Sequence, residues 1–148
     1  MTMINVTIKG KNIDAKFGFG ALYKANQKFS NHADNGGSLE NGAANIFLSL
    51  LTGDPGALMK VIQVIIPSEY KEDDYIEAIE ELTEGGDKLD EVVTMLKDEM
   101  VQSGFFKKAI NNQIEAFEEN LPMLKANEKM EDQAKSVEAA LKLMKENI

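Results

Sequence analysis

Side chains able to do acid–base or ligand chemistry are few and dispersed in this sequence. His32 is the only histidine, and it stands in a run of Asn, Asp, Gly and Ser with Asp34 near it in sequence alone. A histidine base or metal ligand normally needs an orienting carboxylate or a second ligand, so His32 is expected to be a solvent-exposed loop residue. Cysteine is absent, which removes disulfides, thiolate metal sites and a cysteine nucleophile. Carboxylates are plentiful. Pairs such as Glu77 with Glu81, or Asp87 with Glu91, share a helix face, yet no calcium-binding D-x-D-x-D-G loop with a distal glutamate occurs; a solvated acidic face is expected. Gly18-Phe19-Gly20-Ala21-Leu22-Tyr23 follows a strand pattern and enters a helix, the context of a pyrophosphate cradle. Tyr23 stands where the third glycine belongs, and the strand belongs to a hairpin rather than a βαβ unit. A strand-to-helix turn is expected, with no metal, no cofactor and no catalytic constellation.

Apolar residues able to meet another chain are better represented. The eight methionines suit adaptable interfaces. Met95 and Met100 fit core filling, whereas Met130 and Met144 lie on a C-terminal helix with little chain left to cover it. In Phe105-Phe106 one ring should anchor the core, and the other, about 100° away on a helix, should be partly exposed. The candidate partner-binding residues are Phe106, Met130, Val137, Leu141 and Met144.

The chain of 148 residues, 43% hydrophobic and 28% charged, is long enough for one domain and is neither low-hydrophobicity disorder nor a membrane protein. Its start, MTMINVTIKG, lacks the basic-then-apolar run of a signal peptide, and its longest apolar stretch, Ala57 to Ile66, is about half a membrane span. A cytoplasmic, membrane-free protein is expected. Every basic residue is lysine. Without arginine, the preferred fork for phosphate, an acidic chain is not expected to read nucleic acid. The net charge of -9 is unevenly spread: Met1 to Ser68 carries six lysines and four acids, Glu69 to Glu119 five lysines and sixteen acids (-11), and the remainder five of each.

Ile4, Val6 and Ile8, then Ile13, Ala15 and Phe17, alternate with polar residues around a turn at Lys9-Gly10-Lys11-Asn12, which predicts a β-hairpin. Phe19, Leu22, Tyr23 and Phe29 suit the apolar stripe of a short helix, and Asn31 to Gly42 reads as a mobile loop. Ile46 to Leu51 ends a helix at Gly53. Asp54 then caps a new one with Pro55 at its first position, and Leu58, Val61, Ile62, Ile65 and Ile66 carry it to Pro67. Glu69 to Glu84, with the stripe Tyr75, Ile76, Ile79 and Leu82, and a helix capped by Asp87 with the stripe Leu89, Val92, Val93, Leu96 and Met100, predict an antiparallel helical hairpin about Gly85-Gly86. Ile110, Ile114, Phe117 and Leu121 continue to Pro122, a kink or break. From Met130 the steps 4, 3, 4, 3 and 4 form a short heptad seam. The predicted fold is mainly α: a hairpin plus helical core over 1–120 and an amphipathic interaction helix over 121–148.

Several landmarks in order resemble the tail assembly chaperones of long-tailed phages infecting Gram-positive bacteria. They are Asp14-Ala15-Lys16-Phe17-Gly18-Phe19-Gly20-Ala21-Leu22, Leu51-Thr52-Gly53-Asp54-Pro55, Tyr75-Ile76-Glu77-Ala78-Ile79-Glu80-Glu81-Leu82 with Glu84-Gly85-Gly86-Asp87, and Ser103-Gly104-Phe105-Phe106-Lys107-Lys108. Together they cover about Ile4 to Lys108. The resemblance implies a non-enzymatic helper in the host cytoplasm that binds the tape measure protein, keeps its hydrophobic helices soluble, recruits tail tube subunits, and is absent from the finished virion. The C-terminal seam could cover a client helix or another copy of the chain, giving a homo-oligomer. The alternative is an acidic decoy whose carboxylates mimic DNA phosphates and block a nucleic-acid enzyme, in which case binding falls steeply with salt.

Overall fold

Lys9 and Gly10 both take left-handed φ values, 49° and 74°, the two-residue geometry that matches the twist of paired strands. They join β1 (Ile4–Ile8) to β2 (Lys11–Ala15), antiparallel with Ile4 opposite Ala15 and Ile8 opposite Lys11. The computed structural model describes residues 3–148, so Met1 lies outside the described residues. A two-stranded hairpin is marginal alone. Here Ile4, Val6 and Ile8 face inward and β1 is covered by a helix, α4 (Glu72–Leu82).

The hairpin leads through buried Phe17 into α1 (Phe19–Phe29). The fully buried face of α1 is Ala21 and Ala25; of the stripe expected from the sequence, Leu22 and Phe29 pack partly buried against the core, while Phe19 and Tyr23 are 61% and 60% exposed. At about 100° per residue, position 23 lies about 200° from both alanines, and position 19 about 200° from Ala21 and about 240° from Ala25. The small face is required because α2 (Gly42–Leu51) crosses α1 at backbone contact. A Cβ built on Gly42 would stand 1.8 Å from the Ala25 carbonyl oxygen. That contact also caps α2. Ser30 Oγ accepts from Gly42 N (2.9 Å) and Asn26 Oδ1 accepts from Ala43 N (3.1 Å), so α1 satisfies donors that α2 leaves open.

The segment expected to be a mobile loop is tied at its base. Asn31 N donates to Asn41 Oδ1 (2.9 Å), Asn41 Nδ2 to Asn31 Oδ1 (3.0 Å) and Asn45 Nδ2 to the Phe29 carbonyl (2.9 Å), while His32 bridges Ser38. Gly42, expected at the loop's end, is the first residue of α2.

After Gly53 the chain enters α3 (Ala57–Ile65), whose buried face is wholly apolar. Asp54 Oδ1 accepts from Gly56 N (2.9 Å) in the turn that leads in, but the expected cap is corrected: the N-cap residue of α3 is Gly56, with no side-chain cap bond, and Pro55 precedes the regular helix, which starts at Ala57. The stripe from Leu58 to Ile66 is buried as expected. Lys24 closes the far end, donating from Nζ to the Ile66 (2.7 Å) and Pro67 (3.2 Å) carbonyls, a favourable place for a cation. Burial holds the Lys24 ammonium below its ordinary pKa, with Glu69 pulling the other way.

Three expectations about the acidic third are corrected. Helix α4 and α5 (Leu89–Gln102) do not pack as an antiparallel pair: α4 lies on β1 and α3, α5 on α2 and on α6 (Gly104–Ala126). Glu84, Gly85 and Gly86, all with positive φ, turn the chain away from α4 rather than back along it. Asp87 does not cap α5, whose N-cap residue is Lys88 with no side-chain cap bond. Ile76 and Leu89, expected in buried stripes, are exposed; Tyr75 and Ala78 on α4, and Val92, Leu96 and Met100 on α5, carry the buried faces.

Ser103 is one of two buried polar residues among those described. Its hydroxyl donates to the Phe17 carbonyl (2.7 Å) and accepts from Phe106 N (3.3 Å), joining the end of the hairpin to the start of α6. Ser103→Ala removes the helix cap and strands a buried carbonyl, so a loss of about 2 kcal/mol is expected. Urea denaturation of the two proteins measures it, and an unchanged midpoint would contradict the assignment.

Pro122 does not end α6. The helix runs to Ala126 and so crosses residues 120 and 121 without interruption. Pro122 and Glu118, whose carbonyl loses its donor, are both exposed, and water can take the freed carbonyl. A 3-10 turn (Glu128–Met130) then reverses the chain into α7 (Glu131–Glu146), which folds back on α6 and α2. Ala134 and Met144 are buried beneath it, and the ion pairs Lys125–Glu138 (3.2 Å) and Lys145–Glu118 (2.8 Å) flank the contact. The mainly α fold with an N-terminal hairpin and C-terminal helix is thus as expected.

Candidate partner-binding surface

The burial of α1 through its alanines leaves the aromatic side of that helix facing solvent. Phe19 meets Phe105, the second residue of α6, edge to face with ring centroids 5.7 Å apart. Phe105 is 43% exposed, whereas its neighbour Phe106 is fully buried and packs edge to face on Phe17 at 5.0 Å. The expectation that one ring of the pair anchors the core therefore holds, with Phe105 as the outer ring.

Between α1, the 31–41 loop and α6 the surface is concave. One hollow of about 550 Å³ is lined by Leu22, Gly104, Phe105 and Lys108. A second, of about 380 Å³, shares Leu22, Phe105 and Lys108 with it and extends past Leu39, Ala109 and Ala116. Leu39 is exposed, and Asn26, Asn112 and Gln113 supply amides along the same groove. Met123, also exposed, follows Phe105 by 18 residues on α6. Eighteen residues are five turns, so both side chains stand on one face about 27 Å apart. Apolar anchors at helical spacing in a groove with a polar margin are what an amphipathic helix recognises. No group of three or more His, Cys, Asp or Glu that could hold a metal occurs among the described residues. His32 is exposed, as expected.

The family described as phage tail assembly chaperone protein, TAC, matches this chain over residues 5–115. The chain belongs to that family. The match contains the hairpin from Asn5, α1 to α5 and the first half of α6, with every groove residue of that helix but Ala116; Met123 and the whole of α7 lie beyond it. No curated protein and no solved structure matches the chain. No described helix of this tail assembly chaperone is long and apolar enough to cross a membrane.

The residues expected to bind a partner are distributed differently from the groove. Phe106 and Met144 are fully buried in the chaperone's own core. Val137 and Leu141 are half-buried on α7, Leu141 against the core, so the heptad seam is largely covered by α6 and α2. Met130 alone of the five is exposed, at the turn after α6. Phe19, Tyr23 and Leu39 are surface residues that sequence reasoning missed. Ala21 and Ala25, four apart, were the available sign that α1 meets a neighbour through its small side, leaving 19 and 23 outside.

Proposed function

We propose that this tail assembly chaperone binds the tape measure protein during tail morphogenesis, covers the apolar faces of its helices in the host cytoplasm, and recruits tail tube subunits before leaving the assembled particle. The observation that carries the reading is the exposed Phe19–Phe105 pair at the head of the α1–α6 groove, inside the region that matches the family. Aromatic rings give large contact area at small entropic cost and dominate interface energies. Surface charge at a net -9 keeps a chaperone–client complex soluble. Met123 and Met130 extend the contact, giving a client helix about five turns of track, and half-buried Val137 and Leu141 contribute at its edge or between two copies of the chain.

Membership of a chaperone family points to a helper role rather than catalysis, and to phage tail proteins as partners. The acidic decoy finds no support in it. Co-expression with the tape measure protein of the same genome tests the proposal. The wild-type chain should keep the client in the soluble fraction and co-purify with it in high salt, whereas Phe19→Glu/Phe105→Glu should lose both. Binding that collapses with salt would favour the decoy class instead.

A further inference from the structure

A second apolar cavity shares no lining residue with the α1–α6 groove. It lies where the α2–α3 turn meets the first turns of α5, with Leu50, Ala57 and Leu58 as floor, Leu89 and Val93 as wall, and a volume of about 220 Å³. An apolar cavity of about 150 Å³ is enough to hold benzene, so one aromatic or branched aliphatic side chain fits. Leu89 is among the exposed large hydrophobic residues.

The rim of this cavity is anionic. Asp54 and Asp90 line it, and Asp90 is shared with an open trough along α5 bordered by Glu91, Asp98 and Glu99. Neither Asp54 nor Asp90 forms an ion pair among the described residues. Lys88–Glu91 (3.5 Å) is an exposed pair worth little; Lys97, partly buried and donating to Asn147 Oδ1 (3.3 Å), meets Asp98 at 3.8 Å, while Glu99 pairs with no cation among the described residues.

We propose that the pocket and trough dock a basic amphipathic segment of a protein partner. One large apolar side chain enters the cavity, and lysines or arginines one helical turn to either side lie against Asp90, Asp98 and Glu99. Charge complementarity selects this occupant. A second copy of the chain fits poorly, since it carries the same excess of carboxylates and has no arginine. The site does not depend on the tape measure protein binding at Phe19 and Phe105, and two separate surfaces would let one chaperone hold two different proteins.

Synthetic peptides of about 15 residues, long enough to form helix on contact, test the proposal against the full-length chain with labelled methyl groups. The basic peptide carries one phenylalanine flanked by lysine and arginine; one control replaces the basic residues by glutamate, another replaces phenylalanine by alanine. The basic peptide should shift the methyl signals of Leu58, Leu89 and Val93 and leave those of Leu22 unmoved. Asp90→Lys should weaken it about 10-fold or more, Asp90→Asn less, and loss of the phenylalanine should weaken it similarly. The glutamate peptide should bind Asp90→Lys better than it binds wild type. Equal binding of basic and acidic peptides to wild type would overturn the proposal, as would shifts confined to other methyls or none at about 1 mM peptide. Shifts of the same methyls on raising protein concentration without peptide would assign the pocket to a second copy and equally overturn it.

Discussion

Phe106→Ala is expected to lower the unfolding free energy by about 3–5 kcal/mol, while Phe105→Ala, one position earlier, should cost about 1 kcal/mol. The two rings share residue type, helix and sequence neighbourhood, and differ in what surrounds them. Phe106 is fully enclosed, edge to face with Phe17 at 5.0 Å, so its removal leaves a cavity where hairpin and α6 meet. Phe105 loses a half-exposed contact with Phe19, most of which water replaces. Guanidinium unfolding of the two variants measures the difference. Equal losses would mean that the rings have been assigned to the wrong sides of α6.

Gly42→Ala should destabilise the chain by about 3 kcal/mol or more, at the upper end of what overpacking costs and a large effect for one added methyl. The new carbon would meet the Ala25 carbonyl oxygen at 1.8 Å and the Asn26 Cα at 2.9 Å. Those atoms are backbone and cannot rotate away, so α1 and α2 must separate, breaking the bonds from Ser30 and Asn26 that cap α2. Gly20→Ala is the matching control. A Cβ there meets nothing within 4 Å, and a helical glycine replaced without a clash gains about 0.5–1 kcal/mol. Thermal unfolding of the pair should move in opposite directions. A tolerated Gly42→Ala would contradict the close crossing that turns Phe19 and Tyr23 outward.

How far the fold can be read in advance depends on whether its cause is local. Alternation fixes the hairpin, and Gly53 and Pro67 bound α3 because glycine and proline geometry act within a few residues. Two failures have longer-range causes. Phe19 and Tyr23 look like part of the core stripe of α1 with Leu22 and Phe29, but the close approach of Gly42 reserves the innermost side for Ala21 and Ala25 and leaves those two outside. The packing of α4 against β1 rather than α5 results from three successive left-handed residues at Glu84–Gly86; the glycines are visible in the sequence, the direction of the turn is not. Pro122 looks like a boundary, yet its cost is small where the freed carbonyl faces water.

Which apolar residues reach the surface depends on packing between distant segments. A heptad period from Met130 shows that one side of α7 must be covered, but a period carries no information on what covers it, and α6 and α2 of the same chain do so. The aromatic groove arises because Phe19 and Phe105, 86 positions apart in sequence, are brought together by the hairpin's junction with α6. The Ser103 hydroxyl, bonded at 2.7 Å to the Phe17 carbonyl, holds that junction.

The most direct measurement is the affinity of a helical tape measure fragment for the wild-type chain and for a folded Phe19→Glu/Phe105→Glu variant, each in low and high salt. Client capture by the α1–α6 groove predicts binding that persists in salt for the wild type and weakens about 100-fold, or about 2.7 kcal/mol, in the variant. Undiminished affinity in the variant would contradict it.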